Sequence, residues 1–368
     1  MTRPPSPVRR PVAALLAVTA LALAGCSGSS SSSSTTTARR PAAATTTTAA
    51  PPTTSAAEAQ AWAALDRRVA ALAPTVGFLA ARVDGGTCEP VHEVEPAAAR
   101  PIGSQFKLFV LGALAERIAA GDLAWDDTVT VEEADRSFGN GDGSLERVEP
   151  GTEVTVEEAA TKMISISDNT ATDVLIDLLG RDVVEAQARA WLRDPAANEP
   201  FLTTKEMFRL HYVPGLAERY LATPAGEREA FLATEVAPLP PEDFYAGLTV
   251  EPSHVETIEW FAAPDDVCRA FAGLQDLRRD PALGPLDDVL SLQTAGIDLD
   301  PDDWPTLWYK GGSEPGVLSL GWLGVTAEGE TYVVEAMVLN PNAPLAESAI
   351  TDLVEVAHDA FDLLAGNA

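Results

Sequence analysis

Strand-forming segments at the two ends of the chain enclose a long helical stretch, and that order restricts the fold more than any other feature. Thr75 to Val83 is rich in β-branched and small apolar residues, and Asp84-Gly85-Gly86 is a hairpin signal leading into Cys88–Val94. Three further strands are expected near the end, around Thr306–Lys310, Leu318–Val325 and Thr331–Leu339, with the turn Glu328-Gly329-Glu330 before the last. Glu58 to Ala73 has apolar residues at helical spacing, and Ala346 to Leu364 closes the chain as a long helix. Strands at both ends with helices between predict an α/β (α+β) sandwich. Terminal helices flank an antiparallel sheet, and an all-helical lobe sits between.

The chain of 368 residues opens on a targeting pattern. Arg3, Arg9 and Arg10 precede an apolar run from Val12 to Ala24, well short of the roughly 20 residues that a membrane span needs. It ends in Leu23-Ala24-Gly25-Cys26, which resembles a bacterial lipoprotein box. The resemblance implies a signal peptide over 1–25 and lipidation of Cys26, placing the protein on the outer face of the cytoplasmic membrane. From Ser27 to about Ser55 the residues are almost all Ser, Thr, Ala and Pro, too polar to offset ordering entropy by burial. Residues 26–56 therefore read as a flexible tether, and 57–368 as the folded domain.

Charge narrows the partners. The five basic residues before Glu58 are Arg3, Arg9, Arg10, Arg39 and Arg40; removing them from 25 leaves 20 against 55 acidic residues, a net of −35. Such a surface repels nucleic acid and anionic lipid heads, so the membrane is expected to be reached through the lipid anchor only. Past Cys26 the only cysteines are Cys88 and Cys268; export permits a disulfide, but no local spacing places the two together. His92, His211, His254 and His358 lack metal-ligand spacing, so no metal or other cofactor is expected.

Three short constellations carry the chemistry. In Pro101-Ile102-Gly103-Ser104-Gln105-Phe106-Lys107, the proline and glycine break regular structure just before good helix formers. Ser104 should fall in the first turn of a helix over Gln105–Ala120, with Lys107 one turn on and close enough to hydrogen-bond its hydroxyl. Serine is a weak nucleophile at pH 7; a lysine can be its base only when burial or a second cation leaves the amine neutral. The second constellation, Ser167-Asp168-Asn169, lies where one helix ends and another starts, and its residue types are also those of a helix cap. The third is Lys310-Gly311-Gly312-Ser313 on a late strand, where glycines point to close approach by a ligand or another backbone. An edge bulge with a protective lysine is the plainer alternative.

Ser-x-x-Lys opening a helix, Ser-Asp-Asn 63 residues later and Lys-Gly-Gly on a late strand follow the order of the motifs of the serine penicillin-recognising enzymes. The chain resembles the class A β-lactamases most, through Gly151–Ala160 and Ile164–Asp173 to the terminal strands and helix. The resemblance implies that Ser104 is the acylated nucleophile, Lys107 its proton acceptor and Ser167 a relay to the leaving nitrogen. It implies that Asn169 holds the substrate's side-chain amide and that Lys310 lowers neighbouring pKa values and attracts a substrate carboxylate. Gly312 and Ser313 would line the substrate, with the backbone N–H groups of Ser104 and Ser313 as oxyanion hole.

Two departures qualify the expected activity. Gly311 stands where the family usually has a hydroxyl that helps bind the substrate carboxylate. Only 34 residues separate Asn169 from Thr203, in a segment resembling the one after the family's Ω-shaped loop, and no Glu-x-x-Leu-Asn lies between them. That loop normally supplies the deacylation base, for which Glu199 is the candidate here; Glu206 is better explained as the capping-box partner of Thr203. The stretch from about 209 to 296 has no close counterpart and reads as an enlarged helical segment or a lid. The expectation is a monomeric β-lactamase-type enzyme of the cell envelope, tied to antibiotic resistance and acting on a β-lactam or a peptidoglycan-derived substrate. Acylation is better supported than hydrolysis. The alternatives are a D-alanyl peptidase or esterase on the same fold, and a non-hydrolytic protein that traps a β-lactam or wall peptide.

Overall fold

The computed structural model describes residues 55–139, 141, 143–240 and 249–366. The leader, Cys26 and nearly all of the tether lie outside the described residues. Five strands form one antiparallel sheet in the order β2-β1-β9-β8-β7: β1 (Thr75–Asp84), β2 (Thr87–Val94), β7 (Thr306–Glu314), β8 (Val317–Val325) and β9 (Thr331–Leu339). The terminal strands pair directly, with Phe78 opposite Ala336, so the two ends of the folded chain meet inside the sheet.

The central strand β9 is buried along its whole length, as expected of a strand covered on both faces. Its side chains alternate: Tyr332, Val334, Ala336 and Val338 join one core, Val333 and Met337 the other. The first core lies under α1 (Ala56–Ala70) and α11 (Ala349–Ala365), the terminal helices, which are also linked by ion pairs from Arg68 to Glu355 and Asp359. The second core continues into the helical lobe: α2 (Lys107–Ala119), α3 (Val156–Ser165), α4 (Asn169–Leu179), α5 (Arg181–Trp191), α6 (Thr204–Tyr212), α7 (Leu216–Ala222), α8 (Arg228–Phe231), α9 (Pro264–Leu277) and α10 (Leu286–Ser291). Four short strands complete it: β3 (Arg100–Pro101) pairs with β6 (Phe261–Ala262), and β4 (Thr128–Val131) with β5 (Thr152–Thr155). Cys88 on β2 is disulfide-bonded to Cys268 on α9 across a sequence separation of 180, a pairing that sequence spacing left open.

The stretch after α5 makes a long excursion. Thr203 forms the expected capping box with Glu206, but at the start of α6, which packs on α4. The chain rejoins the strand leading to Ser104 only at β6, where Arg100 faces Ala262 and the Ile102 amide donates to the Trp260 carbonyl at 2.9 Å. So part of the segment from 209 onward is an enlarged helical region, and its end is built into the floor beneath Ser104.

Candidate active site

Ser104 lies not in an α-helical turn but in a 3-10 turn, Gly103–Phe106, that runs straight into α2. The turn begins at Gly103 with φ of +48°, a conformation costly for any residue with a Cβ. Below it Phe106 stacks on Trp260 with ring centroids 3.7 Å apart. Behind it a Gln105–Glu335–Ser319 network anchors the turn to the sheet. Gln105 Nε2 donates to Glu335 Oε2 at 2.7 Å and to the Lys310 carbonyl at 3.1 Å, and Ser319 Oγ donates to Gln105 Oε1 at 2.6 Å. Ser319 Oγ also lies 3.0 Å from Glu335 Oε1, and with its single hydroxyl proton donated to Gln105 this contact is satisfied when Glu335 carries a proton. Burial pushes the Glu335 carboxyl well up, in the same direction.

Lys107, the first residue of α2, is fully buried. Its Nζ donates to the Ser167 carbonyl at 2.6 Å and to Asn169 Oδ1 at 2.8 Å, and lies 3.2 Å from Ser167 Oγ. The sequence pattern placed it on the Ser104 hydroxyl; instead stronger acceptors across the groove hold it, and no hydrogen bond to that hydroxyl occurs among the described residues. Burial lowers the Lys107 pKa to about 7, against the opposing charges of Asp168 and Asp173. About half the amine is then neutral near pH 7. Two of its hydrogens serve the carbonyl and the amide oxygen, which frees its lone pair for a hydroxyl proton.

Ser167-Asp168-Asn169 is a helix cap, and the two residues flanking the cap line the groove. Asp168 is the N-cap of α4, accepting from the Ala171 amide, and it also binds Leu145 N and Ser144 Oγ. With the cap supplied by Asp168, Ser167, at φ of +57°, presents its hydroxyl to both lysines, and Asn169 Nδ2 donates to the Phe138 carbonyl at 3.0 Å. Lys310 reaches the same hydroxyl from the opposite wall, Nζ at 3.1 Å from Ser167 Oγ, and donates to the Gly311 carbonyl at 2.5 Å. Burial and the charge of Lys107 hold Lys310 well below the ordinary lysine range. Although β7 is an edge strand, Lys310 is buried and does not serve as an exposed edge guard.

Gly312 explains the glycines of the third motif. A Cβ there would collide with the Ile102 carbonyl oxygen and lie 2.5 Å from Ser104 N; one on Gly103 would lie 2.8 Å from Ser313 N. The backbone of β7 is thus pressed directly against the Gly103–Phe106 turn, and the amides of Ser104 and Ser313 come from the two touching segments.

Glu199 is a correction. Its carboxylate is bound by Arg189 Nε at 2.6 Å, with the side chain 40% exposed, and it makes no contact with the Lys107–Ser167–Lys310 cluster among the described residues. Its neighbour Asn198 is the inward-facing residue, bridging both backbone polar groups of Phe261 at 2.9 Å. Trp260, Gln105 and Glu335 escaped the sequence reading, because a stacked ring and a buried acid have no local signature.

A family model described as the β-lactamase enzyme family matches residues 60–219. No curated protein matches. Among solved structures, a class A β-lactamase representative from Bacteroides cellulosilyticus aligns with TM-score 0.56 and 16% identity, over 84% of this chain and 98% of that one. A β-lactamase from Sphaerobacter thermophilus gives 0.54 and 22%, over 82% and 98%. A point mutant of PBP-A, as its acyl-enzyme with penicillin G, gives 0.53 and 18%, over 83% and 95%. At such identities these likenesses establish the fold.

Proposed function

We propose, from the premise that this chain has the fold of the penicillin-recognising serine enzymes, that it is a β-lactamase-type serine hydrolase acylated at Ser104. The observation that supports this most is the placing of two buried lysines on one serine hydroxyl, beside a serine turn pressed against a glycine strand. Ser104 Oγ attacks the carbonyl carbon of a strained or activated amide, and neutral Lys107 takes its proton. The negative oxygen that forms is met by the amides of Ser104 and Ser313, in the place where charge develops. The proton passes through Ser167 to the leaving nitrogen, the C–N bond breaks, and an acyl-serine remains. Asn169 and Lys310 orient the substrate's amide and carboxylate.

Hydrolysis of that acyl-serine needs a base for water, and Glu199 is bound up with Arg189. We infer that deacylation is slow. The same observation favours a second reading, an acylation-competent peptidase, esterase or sensor of wall peptides that releases or keeps its acyl group without β-lactamase turnover. The leader and Cys26 support export and lipid anchoring at the cell envelope, with the domain acting as a monomer.

The test mixes the domain from Ala56 onward with a chromogenic cephalosporin, following absorbance and intact mass, with Ser104→Ala as control. Turnover lost in Ser104→Ala makes the protein a β-lactamase. A stable adduct on Ser104 without turnover supports the second reading, and no reaction with β-lactam or ester overturns both.

A further inference from the structure

Directly behind the oxyanion N–H groups lies a pair of buried acids that the acylation chemistry does not use. Glu259 is 3% exposed; its Oε2 accepts from the Trp260 amide at 2.7 Å, and the carboxyl also faces the amide of Gly103, the residue before the nucleophile. Glu314 ends β7, one residue past Ser313, with its side chain 7% exposed. The two carboxyl groups contact each other, yet Glu259 Oε1 and Glu314 Oε1 receive no N–H or O–H donor from any described residue. Two buried acceptors facing each other are both satisfied by one proton held between them, in a short charge-assisted bond.

The surroundings agree. Burial and the neighbouring acid push Glu259 well above the ordinary carboxyl range. His211 of α6, with its side chain 1% exposed, donates Nε2–H to the Ile258 carbonyl at 2.6 Å, leaving Nδ1 3.6 Å from Glu314 Oε2. The remaining titratable neighbours are Tyr212, whose phenol burial and then the two acids push up, and His254, its ring 6.3 Å from that of His211. No lysine or arginine acts on Glu259 among these groups. A metal is a poorer occupant, since among the described residues the ligand atoms of this trio do not converge as those of His358, Asp359 and Asp362 do.

We propose that Glu259 and Glu314 share a single proton, and that this pair, backed by His211, clamps the Gly103–Ser104 turn to the end of β7 and sets the spacing of the oxyanion amides. The inference rests on the acyl-serine reading. Both acids are positioning residues: one side of the clamp holds the Gly103 amide, the other is covalently next to Ser313. When the proton is lost, two carboxylates face each other in a medium that screens them poorly, and the segments part. A misplacement of about 1 Å in such a site costs on the order of 10²-fold in rate. Acylation therefore falls as pH rises and the shared proton is lost from Glu259.

The experiment measures the rate of acylation by a chromogenic cephalosporin against pH, using intact mass for adduct formation, in wild type, Glu314→Gln, Glu259→Gln and Glu259→Ala. Amide hydrogen exchange at Gly103 and Ser313 is followed in the same variants without substrate. Expected in wild type is a decline in acylation as pH rises past the raised Glu259 titration, together with faster exchange at both amides. Both are absent in Glu314→Gln, whose amide hydrogen replaces the shared proton at every pH. Glu259→Ala loses about 10²-fold in acylation at all pH values, and Glu259→Gln recovers most of it. A decline with rising pH and an exchange pattern identical in all variants overturn the clamp and assign the decline to Lys310. If wild type is not acylated, the functional reading fails, and exchange at Gly103 and Ser313 alone still decides whether the pair holds the turn.

Discussion

Lys107 and Lys310 converge on one oxygen, their Nζ atoms 3.2 and 3.1 Å from the Ser167 hydroxyl, although they come from opposite walls of the groove and are 203 residues apart. Neither amine can keep an ordinary pKa there. Water is excluded, and each charge raises the cost of the other. The arrangement produces at neutral pH a lysine able to accept a proton.

That gives an acid limit to acylation. The Lys107 pKa is lowered to about 7, so the amine is protonated and inactive below that pH and free above it. Acylation should rise through pH 7 and level off above it, until the clamp titrates. Lys107→Ala should lose about 10²–10⁴-fold, the usual contribution of a positioned general base. Adduct formation by mass spectrometry across a pH series measures both; a flat profile from roughly two pH units below that pKa to one above it would remove Lys107 from the base role.

Gly312 should tolerate nothing larger. Gly312→Ala drives a methyl group into the backbone of the nucleophile turn, and that backbone cannot move without displacing Ser104 N. Expected are a loss of about 10²–10³ in acylation rate, as when an oxyanion donor is misplaced, and a stability loss of about 1–3 kcal/mol. Kinetics and thermal melting read the two effects; normal acylation by Gly312→Ala would mean that β7 does not supply the second amide.

Glu335 makes an opposite pair of predictions. Because the buried acid carries its proton in the fold, the folded state binds more protons than the unfolded chain once pH exceeds the ordinary carboxyl range. This contribution is greatest at low pH and is lost as pH rises toward the raised pKa. Glu335→Gln keeps the donor to Ser319 and the acceptor for Gln105, so it should flatten this dependence without lowering stability at neutral pH. Glu335→Ala leaves one of the two Gln105 Nε2 hydrogens without its acceptor and opens a cavity, costing about 2–4 kcal/mol. Denaturant melts at several pH values test it; equal pH dependence in wild type and Glu335→Gln would show that Glu335 is ionised in the fold.

Reducing Cys88–Cys268 should lower the melting temperature without altering the site. The bond closes a separation of 180 residues and ties β2 to α9, so its loss releases chain entropy in the unfolded state worth about 2–5 kcal/mol. Differential scanning calorimetry of a Cys88→Ser, Cys268→Ser double variant checks the stability, and acylation at room temperature should be retained.

What could be read from the chain was whatever is encoded within a few residues. Runs of β-branched and apolar residues marked β1 and β9 as strands, Asp84-Gly85-Gly86 set the hairpin, and Thr203-x-x-Glu206 set a helix start, because dihedral preference acts over one or two turns. The three constellations were legible for the same reason: each is a contiguous string whose backbone context the neighbouring residues dictate. Tertiary structure alone decided that Lys107 turns to Ser167 and Asn169 rather than to Ser104, and that Glu199 faces Arg189. It also decided that Cys88 meets Cys268, and that an excursion ending at Trp260 lays Glu259 against Glu314. In each case but that of Glu199, whose partner is 10 residues away, the partner is brought by a distant segment, and burial and competition among acceptors choose between side chains whose local sequence permits several outcomes. A buried carboxyl and an exposed one are the same letter; only the fold determines which of them must keep its proton.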